Sequence, residues 1–454
     1  MYDVIVIGAG PAGYEVASLL GSGGKSVCVI EKDEKHVGGT CLNWGCIPAK
    51  NFLESAIFVK KAKYFESCGV DISINGFDMS KLKANTCRLI CDTKTGVFNM
   101  LKKGKVEIKY GTASFIDENT IKVGDDENSE ELTATNFVIA SGSSHRNHPL
   151  LKLDGKNIIS SKEVFKLDSL PKSILIVGGG AIGCEFATFF NSLGTKTHIA
   201  EFTPKLLPAE DDDLGKTIKR EFERQGMKID VKANITSYKV KENGVEVTLD
   251  TGKKQEILTF EKILVSIGRV PNSKALNLEV ANIKSDRDFV EVDENLKSIS
   301  NDKIYAIGDV IKTPALAHVA FHEAKRVAQQ ILGQEVFTQK AIFPSVTFCS
   351  PQVASIGVSE AKLKEEGVPF KAKKVFFKPN AKAKIKGDDS GFIKILYNTE
   401  NNKILGASII GNDATELIHE FLVAINSNLT MDDLSKMIFA HPTLSESILE
   451  AVTH

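Results

Sequence analysis

Val4-Ile5-Val6-Ile7-Gly8-Ala9-Gly10-Pro11-Ala12-Gly13 sets four apolar residues before three glycines at the first, third and sixth places of a turn. A short unbroken apolar run marks a strand buried on both faces of a parallel sheet. The first glycine of such a turn makes the bend, the second lets a pyrophosphate approach the backbone, and the third lets the following helix pack on the strand. The phosphates then rest on the helix N-terminus, and an acid ending the next strand takes the ribose hydroxyls. The apolar stretch 27–30, ending in Glu31, supplies that acid.

The unit recurs. Ile174-Leu175-Ile176-Val177 precedes Gly178-Gly179-Gly180-Ala181-Ile182-Gly183, and the stretch 196–200 ends in Glu201. Gly13 to Glu31 and Gly183 to Glu201 are each 18 residues, and the two copies lie 170 residues apart. One such fingerprint is a weak signal, because glycine-rich turns also occur without a ligand. Two copies, each with its acid at the same spacing, argue for two dinucleotide sites.

Just behind the first copy stands Gly39-Thr40-Cys41-Leu42-Asn43-Trp44-Gly45-Cys46-Ile47-Pro48. Bonded cysteines hold their Cα atoms roughly 4.4–6.8 Å apart, closer than one straight helix brings residues five apart, and Gly45 permits the necessary bend. Pro48 reads as opening a helix, which puts Cys46 near the positive end of a helix dipole, where a thiolate is favoured. A dithiol here can trade electrons with a bound redox cofactor. The plainer alternatives are a metal knuckle or two thiols packed as small hydrophobes. Structural zinc wants a second ligand pair, and none follows, so no metal site is expected.

Between the copies, 80–103 reads as a polar helix and 106–108 and 113–116 as strands, and 137–140 as a buried strand running into the small turn Ser141-Gly142-Ser143. The stretch 144–149 is polar and ends in proline, a crossing into a second domain. Apolar 263–267 ends in Gly268-Arg269, and Ile304-Tyr305-Ala306-Ile307-Gly308-Asp309 delivers an acid at a strand's carboxyl end, where ligands of open α/β sheets bind. Ala315-Leu316-Ala317-His318 then opens a helix. Beyond about 340 the pattern turns to short strands at 345–348, 392–397 and 404–410 with two helices, an α+β texture without a fingerprint.

At 454 residues, 42% hydrophobic, the chain suits about three domains at ~100–200 residues each. A net charge of -1 without basic runs argues against nucleic acid and membrane surfaces as partners. The stretch 174–190 nearly reaches membrane length but contains Glu185 and glycines, and reads as a soluble strand-turn-helix. Of the eight cysteines, Cys28, Cys68, Cys87, Cys91, Cys184 and Cys349 read as buried free thiols. A strand pattern starting at Val4 leaves no room for a leader, which points to the cytoplasm or to a mature mitochondrial matrix form.

With two dinucleotide fingerprints, a dithiol between them, and His441-Pro442-Thr443-Leu444-Ser445-Glu446 near its end, the chain resembles the flavin-dependent pyridine nucleotide-disulfide oxidoreductases essentially end to end. Within them it looks like the dihydrolipoamide-oxidising branch. The resemblance implies two Rossmann-like α/β domains, for FAD and NAD, and a C-terminal α+β dimerisation domain. The expected divisions are 1–144 and 270–338 for FAD, 145–269 for NAD, and 339–454 for the interface. The resemblance also implies that Gly8, Gly10, Pro11, Gly13, Glu31, Gly39, Thr40, Lys50, Gly111, Ser141, Gly142, Ser143, Asp309, Ala315, Leu316, Ala317 and His318 hold FAD. For NAD it implies Gly178, Gly180, Ala181, Ile182, Gly183, Glu185, Glu201, Ile235 and Gly268. Lys50 and Glu185 are expected to pair near the flavin.

The implied activity is oxidation of protein-bound dihydrolipoamide, with electrons passing through a Cys41–Cys46 disulfide and FAD to NAD+. Cys41 would meet substrate and Cys46 the flavin, while His441 would be the base, oriented by Glu446, acting on the dithiol of the other subunit of a homodimer. The implied partners are lipoylated acyltransferase and carrier domains of 2-oxoacid dehydrogenase and glycine cleavage complexes. Glu201 favours NAD over NADP by repelling a 2′-phosphate, no arginine stands nearby, and Lys205 reads as a surface charge. The third-position Gly183, in place of alanine, fits the same choice. Some residues depart from the family pattern: Phe439 replaces a common second histidine, Ala49 replaces a small hydroxyl residue, and the chain ends at His454 without the longer tail. Trp44 reads as a packing residue rather than a shield. A related disulfide or metal-ion reductase is the alternative, but basic residues for a 2′-phosphate and a C-terminal cysteine pair are both missing. A flavin-binding subunit with lapsed chemistry is disfavoured because both cysteines, His441 and Glu446 are present.

Overall fold

A computed structural model describes residues 1–124, 128–336 and 341–453, so the expected division between 338 and 339 lies outside the described residues, as does His454. The chain forms two compact units, Met1–Ala49, Lys83–Arg146 and Arg269–Gln339 in the first, and Lys50–Leu82, Asn147–Gly268 and Lys340–His454 in the second.

In the first unit the opening apolar run is the central strand Tyr2–Ile7, parallel to Val27–Glu31 on one side and Ser129–Ile139 on the other. Glu107–Tyr110 and Ile304–Ala306 extend this parallel sheet outward, and the hairpin Ala113–Phe115 with Thr120–Gly124 adds to it. Val4, Ile5 and Val6 are wholly buried, as a strand covered on both faces must be.

The second unit repeats the scheme. Ser173–Val177 is flanked in parallel by Lys196–Glu201 and Lys262–Val265, with Lys228–Val231 and Ile158–Ser160 outside them. An antiparallel sheet of Asn234–Lys241, Gly244–Asp250 and Gln255–Phe260, absent from the sequence reading, inserts before the last parallel strand, and its alternating Val245, Val247 and Leu249 turn inward. The remaining layer is a five-stranded antiparallel sheet, ordered Ser345–Thr347, Gln352–Gly357, Ile404–Gly411, Phe392–Asn398 and Phe370–Phe376. One face packs on the helices Ala414–Asn426 and Glu446–Thr453, and the other gives Val353, Phe392 and Ile410 to a core with Phe189, Phe190 and Phe222. Each such phenylalanine is worth about 3–5 kcal/mol against truncation to alanine.

The expected α/β class with two Rossmann-like halves and a C-terminal α+β layer is thus the observed architecture. Three local expectations are corrected. Five helices, not two, follow residue 340 among the described residues, because three of them (Glu360–Glu365, Ala381–Ile385 and Met431–Ser435) are too short to show periodicity. The helix expected to open at Pro48 opens at Cys46. Cys28, Cys184 and Cys349 are buried, but Cys68 is exposed in the turn that follows Cys46–Ser67, and Cys87 and Cys91 are exposed because the helix Met79–Lys103 keeps one side in solvent.

Candidate active site

The two fingerprints have the same geometry, and it separates the work of their glycines. Gly8 and Gly178 both adopt φ +106°, a left-handed conformation that glycine alone enters easily. At Gly13 and Gly183 a Cβ would lie 1.8 and 1.9 Å from the carbonyl oxygen of Gly8 and Gly178, so helix and strand touch through bare backbone. The middle glycine differs. Gly10 and Gly180 have ordinary extended backbone (φ -75° and -74°), and a Cβ would meet only Gly39 Cα at 3.7 Å in the first copy and nothing within 4 Å in the second. Neither strain nor packing requires glycine there, and the open space leaves room for a ligand to approach the backbone. Pro11 and Ala181 open the helices Pro11–Ser22 and Ala181–Ser192 behind these seats, and Ile182 is half-buried.

Both acids end their strands as expected, and each reaches back to its own fingerprint. Glu31 accepts from the Ala9 amide at 2.9 Å, and Glu201 accepts from the equivalent Gly179 amide at 2.5 Å and from Thr203 at 2.6 Å. Each carboxylate oxygen keeps a further lone pair for ribose hydroxyls. Lys205 is committed elsewhere, bonding Asp212 at 2.7 Å and the Glu210 carbonyl, so it offers no free charge for a 2′-phosphate. The Ile235 side chain is buried in the core of the inserted sheet, which leaves only its backbone for a nucleotide. Gly268 closes its turn at φ +105° with open space around it.

Around the first fingerprint lie several of the remaining FAD candidates of the first unit. Gly39 lies against Gly10, Gly38 donates its amide to the Ala9 carbonyl at 2.8 Å, and Gly111 donates to the Glu31 carbonyl at 2.9 Å. The Ser141 Cα lies beside Gly8, and its buried hydroxyl has no partner among the described residues. Gly142 (φ +68°) faces open space. Ala315 and Leu316 lead into the helix Ala317–Ile331, with His318 exposed in its first turn. Open middle glycines, an orphaned hydroxyl and an exposed helix N-terminus fit a pyrophosphate-bearing cofactor.

Sequence reading passed over Arg269. Its Nε donates to Ser143 Oγ at 2.7 Å and lies 3.6 Å from Asp309, and its Nη2 reaches the Ser143 carbonyl and, at 3.4 Å, Thr40 Oγ1. Ser143 in turn donates to Asp309. Those partners lie up to 229 residues away along the chain, so no local pattern announces the cluster.

The redox candidates sit on two helices with a bend between them. Cys41 is within Gly39–Trp44, Gly45 turns the chain at φ -133°, ψ -117°, and Cys46 is the first residue of Cys46–Ser67. Asn43 braces the approach by donating to the carbonyls of Val37 at 3.0 Å and Gly39 at 2.9 Å. Trp44 packs edge-on against His36, with centroids 4.9 Å apart. Tyr14 is pushed up to about 12, chiefly by burial and then by the charges of Cys41, Glu15 and Cys46, so its phenol stays neutral beside the dithiol.

In the second unit Lys50 bonds both oxygens of Glu185 at 2.9 Å, and Glu185 also accepts from the Phe348 amide at 3.0 Å. The expected pair therefore forms, with the ammonium 4.6 Å over the Phe348 ring. His441 Nδ1 meets Glu446 Oε1 at 2.8 Å, and the other Glu446 oxygen accepts from the Thr443 amide at 2.7 Å. The Thr443 amide first, and then His441, hold the Glu446 carboxyl below its ordinary value. An ionised carboxylate can only accept, so Nδ1 carries the proton and Nε2 presents its lone pair from a 74%-exposed side chain. Asn380, also missed in the sequence, steadies the loop by donating to Thr443 O and Ser447 Oγ, each at 3.0 Å. Phe439 packs against the core of this layer.

Residues 2–324 match the pyridine nucleotide-disulphide oxidoreductase family, and 343–452 match that family's dimerisation domain. The chain belongs to the pyridine nucleotide-disulphide oxidoreductases, whose cofactors are FAD and NAD(H). Within the family it is similar to the dihydrolipoyl dehydrogenase of Chlorobaculum parvum, 37% identical over 99% of this chain and 96% of that one. The dihydrolipoyl dehydrogenase of Rhizobium etli is 35% identical over 99% and 97%. Among solved structures it resembles LpdA from Mycobacterium tuberculosis (TM-score 0.90, 26% identity, 99% and 98% covered). The flavoprotein disulfide reductase RclA from Escherichia coli, in its Cu(II) complex, is also similar (TM-score 0.89, 25% identity, 100% and 99% covered). The resemblance to the dihydrolipoamide-oxidising branch is thereby borne out. Among the described residues no helix is long and apolar enough to cross a membrane.

Proposed function

We propose that this chain is a dihydrolipoyl dehydrogenase, oxidising protein-bound dihydrolipoamide to lipoamide and reducing NAD+ to NADH. The observation that carries the reading is the His441–Glu446 pair, an exposed imidazole with one nitrogen fixed on a carboxylate and the other free to take a proton. His441 removes a proton from one thiol of dihydrolipoamide, because only a thiolate attacks a disulfide. That thiolate bonds to Cys41 Sγ and breaks the Cys41–Cys46 bond. Cys46 leaves as a thiolate, which the N-terminus of its own 22-residue helix favours. The second substrate thiol then displaces Cys41, closing lipoamide and leaving both protein sulfurs reduced.

FAD, when bound, supplies two-electron transfer between that dithiol and NAD+. The residues assigned to it are the first fingerprint with Glu31, Gly39, Thr40, Lys50, Gly111, Ser141, Gly142, Ser143, Asp309 and the 315–318 turn. The second fingerprint with Glu185, Glu201, Ile235 and Gly268 is assigned to NAD. The working form is a homodimer whose 339–454 layers meet, each His441 serving the other subunit's dithiol, and the electron donors are lipoylated carrier domains of 2-oxoacid dehydrogenase complexes. The test is steady-state turnover by the purified FAD-loaded protein. Dihydrolipoamide with NAD+ should be the preferred pair, and NADPH-driven reduction of oxidised glutathione with no NAD+ activity would overturn the assignment.

A further inference from the structure

The C-terminal sheet carries a polar row across its middle. Ser345, Ser355, Ser408, Lys394 and Lys374 lie directly opposite one another on its five strands, so their side chains share one face. The row two residues away, Val353, Ile410 and Phe392, is ordinary core. The polar row faces the acidic start of the helix Asp212–Arg224. Lys394, 1% exposed, donates to Asp211 at 2.7 Å, Asp213 at 2.9 Å and Glu360 at 3.4 Å, and Lys374 bonds Asp213 as well. The seam already holds two ammonium groups, both from the chain itself, on carboxylates.

At its other end no ammonium bonds the carboxylate of Glu210. Glu210 accepts from Ser345 Oγ at 2.9 Å and from Ser355 as well, and it has no ion pair among the described residues; Lys205, held on the Glu210 backbone carbonyl, lowers the carboxyl in part, but burial, the largest effect, pushes it up. Ser408, 4% exposed, has a buried Oγ without a partner among the described residues. Beside them is a cavity of about 470 Å3, whose polar lining includes Glu210, Ser355 and Ser408 and whose apolar lining includes Leu214, Val358 and Leu396. Lys362, also on the lining, is paired with Glu365 and Glu366. A half-buried carboxylate that forms no ion pair and a buried hydroxyl without a partner call for a charged donor, and the apolar wall calls for hydrocarbon.

We propose that this cavity binds a short primary alkylammonium ion, its three N–H donors shared among Glu210, Ser355 and Ser408 and its chain lying on Leu214, Val358 and Leu396. The site uses none of the residues assigned to the dithiol, FAD or NAD.

The test is the thermal midpoint of the full-length FAD-loaded protein, with calorimetric titration, in n-butylammonium, ammonium, tetramethylammonium or sodium chloride at equal ionic strength. Butylammonium should raise the midpoint saturably, and tetramethylammonium, which has charge but no N–H, should act like sodium. Glu210→Gln should abolish the rise. Ser408→Ala, the milder change, should raise the half-saturating concentration at least threefold, and it tests the site even if Glu210→Gln fails to fold. A butylammonium response equal to that of sodium, or one undiminished in both variants, overturns the proposal. A rise with ammonium as large as with butylammonium overturns it too, because the apolar wall would then play no part.

Discussion

Replacing Gly180 by alanine separates the work of the fold from the work of the nucleotide. Its backbone is extended and a Cβ there touches no atom within 4 Å, so the methyl group fits the folded chain. Losing a glycine stiffens the unfolded chain and stabilises by about 0.4–1 kcal/mol. Alanine caps a helix less well than glycine, at a cost of roughly 0.5–1 kcal/mol before Ala181–Ser192. These terms oppose, so the melting midpoint should hardly move. With the NAD pyrophosphate at this seat, as proposed, the methyl breaks at least one charge-assisted backbone bond, worth about 1.5–3 kcal/mol. The dissociation constant for NADH should therefore rise about 10- to 100-fold. Fluorescence titration of NADH alongside a thermal melt measures both. Gly183→Ala is the contrast, because its methyl would lie 1.9 Å from the Gly178 carbonyl and must disturb the fold itself. Unchanged NADH affinity in G180A would refute the reasoning, because the open seat would then not face the phosphates.

Lys50→Met leaves Glu185 buried without its cation, and because the Lys50 side chain is 32% exposed the loss should be about 1–3 kcal/mol in a denaturant titration, less than for a fully buried pair. A midpoint equal to wild type would show that the pair contributes nothing to the fold. Glu446→Gln should lower kcat about 100-fold with KM for dihydrolipoamide nearly unchanged, the low end of what a positioned base contributes. Because the Glu446 carboxyl titrates below its ordinary 4.5 in the folded chain, its stabilising effect is complete above that pH and is lost as pH falls through the lowered value. The contribution of the carboxylate to the wild-type minus E446Q difference in melting midpoint should accordingly fall away as pH drops below about 4.5. Glu201→Ala should narrow the preference for NAD+ over NADP+ by at least about 10-fold in kcat/KM, and an unchanged ratio would remove Glu201 from the ribose site.

The parallel sheets were legible because their strands are buried on both faces and so print unbroken apolar runs, and because the fingerprint states its turn in glycines. The 170-residue repeat carried into three dimensions down to the Ala9 and Gly179 amides, which meet equivalent acids. The inserted sheet at 234–260 was missed although its central strand alternates cleanly, because its outer strands are mostly exposed and polar. Cys87 and Cys91 were misjudged as buried because thiols usually are, while their long helix turns that side to water. Arg269, Asn380 and the seam around Lys394 were illegible for one reason: each joins charges and hydroxyls far apart in the chain, and a lone lysine or arginine reads as a solvated surface residue. Only the fold shows that Lys394 is buried against three carboxylates.

The most direct test of the account counts sulfurs. Purified FAD-loaded protein is mixed anaerobically with one equivalent of dihydrolipoamide and no NAD+, alkylated, digested, and read by mass spectrometry against an untreated sample. Two new alkylated thiols should appear, at Cys41 and Cys46, with the labelling of Cys28, Cys68, Cys87, Cys91, Cys184 and Cys349 unchanged. Labelling of the 41–46 peptide that is the same before and after substrate would contradict it.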